Sequence, residues 1–209
     1  MSAHLSFLFV PDAKRLEWLI IMIIALEGMD GSGKTETAMQ IADILHFEYV
    51  NKPMKMMFDK SQEGITSRIL ESLNAIEDRD FWALLLGAAQ YYQSMVIKGR
   101  NIILDRHLTS NYYHNVNENN GELFDYLVKI CEKPDLTVVL YVTPPERKRR
   151  IINREGTSGD LIRFEDNDLS YSQIRSFLEK YNMNYLWLDT TEMPKNQVVQ
   201  RIIEEINVL

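Results

Sequence analysis

The sequence predicts an α/β fold built on a mostly parallel, five-stranded sheet with helices on both faces. Two observations carry that expectation. Short apolar, β-rich runs alternate with longer helical stretches, and the first of those runs feeds directly into a glycine-rich turn. Strands joined through helices pair in parallel with right-handed crossovers, and such sheets bind ligands at the C-terminal ends of their strands.

Each element has its own warrant. Ile20–Leu26 is continuously apolar and ends near a glycine, as a strand buried on both faces does. Thr35–Leu45 is a helix, with Ala38, Ile41, Ala42 and Leu45 on one stripe. Glu48–Val50 is a short strand closed by Asn51-Lys52-Pro53, and Ser61–Leu73 is a helix. Phe81–Ile97 keeps Phe81, Leu84, Leu85, Ala88 and Tyr92 at helical spacing; Tyr91 and Tyr92 read mainly as core. Asn101–Leu104 is a strand stopped by Asp105-Arg106, Glu122–Cys131 a helix, and Leu136–Val142 a strand between Pro134 and Pro144. Glu146–Arg154 is a strongly basic helix, followed by a break from Gly156 to Gly159. Tyr171–Tyr181 is helical and Tyr185–Leu188 is the last strand. An amphipathic helix carrying Val198, Val199, Ile202, Ile203 and Ile206 closes the chain.

Composition bounds the function. A chain of 209 residues fits one domain with a full core. A formal net charge of -7 speaks against nonspecific coating of nucleic acid, which needs a basic surface, but not against nucleotides as ligands. The lone Cys131 cannot form an intrachain disulfide and reads as a buried thiol. The longest apolar run, Leu19–Leu26, is far short of the about 20 residues of a membrane span, and the N-terminus lacks the basic start of a signal peptide. A cytoplasmic protein with no membrane or nucleic-acid partner is the expectation.

The strongest motif is Gly28-Met29-Asp30-Gly31-Ser32-Gly33-Lys34-Thr35, a match to G-x-x-x-x-G-K-[ST] placed between a strand and a helix. Its glycines let successive backbone N–H groups converge on one oxyanion, and the helix adds its positive end. Lys34 reaches the β- and γ-phosphates, and the Thr35 hydroxyl suits Mg²⁺, which takes hard oxygen ligands. Asp105, closing an apolar strand, is the expected acidic partner of that metal, and Arg106 beside it the expected phosphate clamp. ATP and Mg²⁺ are thus the expected donor and cofactor. No Cys/His spacing of the zinc type occurs.

These residues carry a resemblance. Ile24–Thr35 is similar to the opening of thymidylate kinases, which reads [FL]-E-G-x-D-G-x-G-K-T-T. Asp105-Arg106-His107 with Ser110 resembles that family's D-R-Y-x-x-S segment. Pro134-Asp135-Leu136-Thr137 resembles its P-D-L strand, Pro144 to Ile151 its P-E-x-x-x-x-R-I helix, and Arg163-Phe164-Glu165, more loosely, the segment after its lid. The resemblance covers roughly residues 22–207. It implies a three-layer P-loop kinase fold with a lid at about residues 147–163, and transfer of the γ-phosphoryl of ATP to a deoxynucleoside monophosphate, dTMP foremost. It implies that Asp30 meets the acceptor's sugar 3′-hydroxyl, that Arg106 holds the acceptor phosphate, and that Arg150 and Arg154 belong to the lid. Within the basic cluster those two are favoured over Arg147, Lys148 and Arg149. A homodimer is implied as well. Residues 1–21 are expected as an N-terminal extension of a kinase domain at 22–209, because family members begin shortly before the phosphate loop.

The chain departs from the family pattern at the acceptor. Asn51-Lys52-Pro53-Met54 stands where the family has R-E-P-G, and His107 where it has tyrosine. In Leu84-Leu85-Leu86-Gly87-Ala88-Ala89-Gln90, Leu86 replaces the aromatic that stacks on the base, and Gln90 the arginine that reads its edge. Deoxynucleoside kinases, related in fold, read the base with a glutamine but use a glutamate as general base for the sugar 5′-hydroxyl. Gln90 leans toward them. Lys52 leans away, because a protonated amine cannot take a proton from an alcohol, whereas it can hold an acceptor that already carries a phosphate. The acceptor contacts expected from these comparisons are therefore Asp30, Lys52, Leu86, Gln90, Arg106 and Ser110. A nucleotide-binding module without phosphotransfer is the third reading.

Overall fold

The computed structural model describes residues 21–153 and 167–209. Arg154, the rest of the expected lid and residues 1–20 of the expected extension lie outside the described residues. The chain runs β1 (Ile23–Glu27), α1 (Lys34–Leu45), β2 (Glu48–Val50), α2 (Pro53–Phe58), α3 (Ile65–Ser72), α4 (Arg79–Ile97) and β3 (Ile102–Asp105). It continues with α5 (Leu108–Asn115), α6 (Gly121–Ile130), β4 (Leu136–Tyr141), α7 (Pro144–Asn153), α8 (Asn167–Lys180), β5 (Tyr185–Asp189) and α9 (Lys195–Ile206).

The five strands form one sheet in the order β2-β3-β1-β4-β5, and every pairing is parallel. The sequence reading of a mostly parallel sheet thus becomes an all-parallel one. β1 lies at its centre, with Leu26 opposite both Asp105 of β3 and Val138 of β4. The chain leaves β1 toward one edge and later crosses to β4 on the other side, which opens a crevice at the C-terminal end of β1.

Alternation along the central strands builds a core on each face. Ile24 and Leu26, with Ile103, Val138 and Leu140, pack against Ala38 and Ile41 of α1 and Val199 and Ile202 of α9. Ile23 and Ala25, with Ile102 and Leu104, meet Ile97 of α4. Val139 joins Leu108, Phe124, Ile174 and Phe177 of α5, α6 and α8. Each fully buried Ile or Leu contributes about 1.5–3 kcal/mol of apolar transfer, so the strands that carry the site are its most firmly held part.

Three helices differ from the sequence expectation. Ser61–Leu73 contracts to α3, and a further short helix, α2, starts at Pro53. Proline at the first helical position costs no hydrogen bond, so it opens this helix rather than ending a segment. The third is α5, for which the sequence reading named no element. Gly87 explains how tightly α4 and α6 meet: a Cβ there would come within 2.8 Å of Leu127.

Candidate active site

The phosphate loop occupies the end of β1. Gly28 has φ +134, and a Cβ on it would lie 2.5 Å from the Leu140 carbonyl oxygen of β4. Gly31 has φ +86, and a Cβ there would press on Arg147 and Ile151 of α7, both at 2.9 Å. Only glycine meets both conditions. Lys34, at the first position of α1, is buried and folds its ammonium back onto the loop, donating to the Met29 carbonyl at 2.7 Å and Ser32 Oγ at 3.4 Å. Burial, reinforced by the charge of Arg106, lowers the Lys34 pKa to about 7 despite Asp30 and Asp105.

The neighbouring strand delivers the acid. Asp105 Oδ2 accepts from Thr35 Oγ1 at 2.6 Å and from Tyr49 Oη at 3.4 Å, while its buried Oδ1 has no partner among the described residues. The backbone then turns sharply. Arg106 sits at φ 79, a conformation a non-glycine side chain adopts at a cost of about 1–3 kcal/mol. That turn aims its guanidinium, only 12% exposed, into the crevice, where it pairs with Asp30. Nη1 donates to Ser110 Oγ and Tyr113 Oη, both at 3.1 Å. Burial opposes ionisation of Asp30, but Arg106, with Lys34 and Lys52, overrides it and holds the carboxyl well below the usual range. Burial likewise disfavours the charged Arg106; Tyr113, Asp30 and Glu27 reverse the balance and raise its pKa.

Beneath Arg106 lies Glu27, the last residue of β1, fully buried. It accepts from the His107 N–H at 2.7 Å, the Ser110 N–H at 3.2 Å and the Ser110 hydroxyl. His107 and Ser110 are the cap and first turn of α5, which has no cap from its own side chains. A carboxylate on the next strand therefore does that work. Burial pushes Glu27 up to about 7 in spite of those donors and the Arg106 charge. His107 is buried beside them, and burial holds its pKa down at about 4.

Two depressions flank the loop. The first, about 760 Å³, is lined by Asp30, Lys34, Thr35, Lys52, Arg106 and Arg147 together with Leu86, Gln90 and Asn111. The second, about 520 Å³, runs from Gly31–Gly33 past Arg150 to Thr190 and Lys195. The acceptor contacts expected from the sequence, Asp30, Lys52, Leu86, Gln90, Arg106 and Ser110, all line the first depression. The Ser110 hydroxyl is nevertheless committed inward, to Glu27 and Arg106, so this side chain positions the Arg106 guanidinium. Tyr91 and Tyr92 line neither depression; Tyr91 is 42% exposed.

In the basic helix the order of preference changes. Arg147, ranked low from sequence, is the buried arginine of the first depression. Arg150 instead lines the second, anchored to Glu146 Oε1 at 2.8 Å and the Thr190 carbonyl at 2.6 Å. The two arginines lie on neighbouring positions of one helix face, and Gly31 lines both depressions between which they divide. Also missed by sequence reasoning were Tyr113, Asn111 and the capping role of Glu27. For Glu27 a signal existed: an acid ending an otherwise wholly apolar strand must find buried donors.

A nucleotide-binding loop at the switch point of an all-parallel sheet, opening on a cation-lined cleft, defines a P-loop nucleotide kinase. A thymidylate kinase family model matches residues 26–202. The chain belongs to the thymidylate kinase family, ATP-dependent phosphotransferases of nucleotide biosynthesis. It is 29% identical over 193 residues to a probable thymidylate kinase of Methanococcus maripaludis, covering 88% of this chain and 94% of that one. Two solved structures share the fold at 20% identity and a TM-score of 0.67. One is deoxyadenosine kinase from M. mycoides with products bound, covering 90% of this chain and 100% of that one. The other is thymidylate kinase from Candida albicans, covering 90% and 92%. Among the described residues no helix is long and apolar enough to cross a membrane.

Proposed function

We propose that the protein transfers the γ-phosphoryl of ATP to a deoxynucleoside monophosphate, with dTMP as the leading acceptor. One observation carries this reading: Lys52 and Arg106, two cations, line the acceptor cleft where a nucleoside kinase would need a carboxylate base. An acceptor that already bears an ionised phosphate attacks without losing a proton to the protein, so cations serve it and a base is unnecessary. In the transfer, an acceptor phosphate oxygen bonds to the γ-phosphorus, the bond to the β,γ-bridging oxygen breaks, and ADP departs.

Each side chain has a part in that step. The loop N–H groups and Lys34 hold the donor phosphates, and Arg150 flanks the donor side, with Arg154 assigned to the lid. Arg106 and Lys52 hold the acceptor phosphate, Asp30 its sugar hydroxyl, and Leu86 and Gln90 its base. Thr35 and Asp105 would hold Mg²⁺: the hydroxyl and the unpartnered Asp105 Oδ1 make a hard-oxygen pair, suited to an ion that completes its shell with water and phosphate. When bound, it would neutralise charge on the donor phosphates. A homodimer fits the exposed stripe Leu84, Tyr91 and Met95 of α4.

Gln90 in the cleft favours a second reading, a deoxynucleoside kinase. ADP release measured across deoxynucleoside monophosphates and their parent nucleosides separates the two. Turnover that requires a monophosphate supports the proposal. Turnover with nucleosides alone promotes the second reading, and ATP binding with no acceptor response leaves a nucleotide-binding module.

A further inference from the structure

The Tyr113 hydroxyl carries a proton that the fold leaves unused. Arg106 Nη1 donates to Tyr113 Oη and to Ser110 Oγ, each at 3.1 Å, while Nη2 pairs with Asp30. A guanidinium has donors only, so the tyrosine oxygen is the acceptor and its own hydrogen points elsewhere. Among the described residues that hydrogen meets no acceptor, although Tyr113 is only 5% exposed. An O–H held out of water without a partner is costly unless a ligand or water takes it. The ring is fixed by the core of Met29, Leu108 and Tyr171, with the His114 ring 4.0 Å away between centroids. Tyr113 lines the first depression together with Arg106 and Lys52. Arg106 itself has three of its five N–H groups committed to Ser110, Tyr113 and Asp30. A phosphate group offers three strongly accepting oxygens, more than the two remaining N–H groups of Arg106 can serve.

We propose that Tyr113 binds the acceptor phosphate directly, its hydroxyl donating a hydrogen bond to a terminal oxygen beside Arg106. This rests on the reading of the first depression as the site of a monophosphate acceptor. A phenol suits the place. Arg106 and Lys52 already repel Lys34, and a further cation would add to that repulsion. A neutral O–H adds a donor without adding charge, and its bond to an anionic oxygen belongs to the strong class. The hydroxyl keeps its proton throughout the transfer, so Tyr113 anchors the acceptor and does no acid–base chemistry.

Tyr113→Phe keeps the ring and removes the donor. Calorimetry gives dissociation constants for dTMP and dAMP, for their parent nucleosides, which lack the phosphate, and for ATP. We expect the variant to weaken the monophosphate that wild type binds best by about tenfold or more, and to raise its KM in step. Nucleoside and ATP binding should be unchanged. A loss shared equally by the parent nucleoside overturns the inference, as does monophosphate binding that matches wild type. The loss should persist at similar size in an Arg106→Ala background. A hydroxyl that only supports Arg106 predicts that the loss vanishes there, and that result overturns direct contact. Arg106→Met, which keeps much of the stem without its donors, takes the place of alanine if Arg106→Ala does not fold. Wild-type binding of monophosphates no tighter than of nucleosides removes the monophosphate reading and the inference with it. Tight monophosphate binding untouched by Tyr113→Phe removes the role of Tyr113 alone.

Discussion

Replacing Glu27 by glutamine tests how the crevice is built, because the carboxyl is fully buried and yet caps a helix. Its folded-state pKa of about 7 lies above the ordinary 4.5 through burial, only partly offset by Ser110, Arg106 and His107. The folded protein therefore holds this proton more tightly than the unfolded chain. The sign follows: Glu27 favours folding most below about pH 4.5, and that contribution is lost as pH rises toward 7. A displacement of that size corresponds to roughly 3 kcal/mol. Glu27→Gln keeps the shape and an acceptor for the His107 and Ser110 N–H groups but cannot titrate. Urea unfolding of both proteins at intervals from pH 4.5 to 8 should show wild type losing roughly 3 kcal/mol relative to the variant up to pH 7, and nothing further above it. Parallel curves across that range would refute the account of Glu27 as a buried, reluctantly ionised cap. Glu27→Ala should be worse at every pH, since two buried N–H groups then lack an acceptor, at about 1–3 kcal/mol each.

Three other outcomes are expected. Lys34 sits near pKa 7 before a phosphate restores its usual value, so ATP binding should take up a proton between about pH 7 and 10 and weaken as pH rises through that interval. Calorimetry at pH 8 in buffers of different ionisation enthalpy measures that uptake, and Lys34→Ala should abolish binding itself. Asp30→Ala should raise the acceptor KM roughly tenfold to a hundredfold with a smaller change in the KM for ATP; unchanged acceptor kinetics would remove Asp30 from the acceptor site. Gly28→Ala should destabilise the fold by roughly 3 kcal/mol or more, through positive φ and the Leu140 carbonyl 2.5 Å from the new Cβ. An unshifted urea midpoint would contradict this.

How far the sequence could be read depended on what holds each element. The strands were legible because Ile23–Glu27 and Leu136–Tyr141 are buried on both faces, which leaves continuous apolar runs. The phosphate loop was legible because its residue types are dictated by one ligand. The α5 helix was not. Its Thr109, Ser110, Asn111 and Asn115 are polar yet buried, the last three satisfied by Glu27, Ala83 and one another, so no apolar period marks it. Nor could spacing separate Arg147 from Arg150, since which depression each meets depends on where Gly31 abuts α7. Gln90 stood out in the sequence as a departure from the family pattern; its contact with Asn111, which also reaches the Ala83 carbonyl, depends on how two helices meet.

The net charge of -7 and the binding of highly charged anions are reconciled within the cleft itself. Arg106, Lys34 and Lys52 are drawn together there, and each loses hydration on burial. Their mutual repulsion is contained by carboxylates set among them: Asp30 paired to Arg106, Glu27 beneath it and Asp105 beside Thr35. The acids thus hold the cations in place before any phosphate arrives, and two of the three, Glu27 and Asp105, stay engaged with the fold through His107, Ser110 and Thr35. Asp30, at 41% exposure, lines the cleft and pairs with Arg106 there. The strained backbone of Arg106 belongs to the same design: a glycine would relax it, but the guanidinium would be gone.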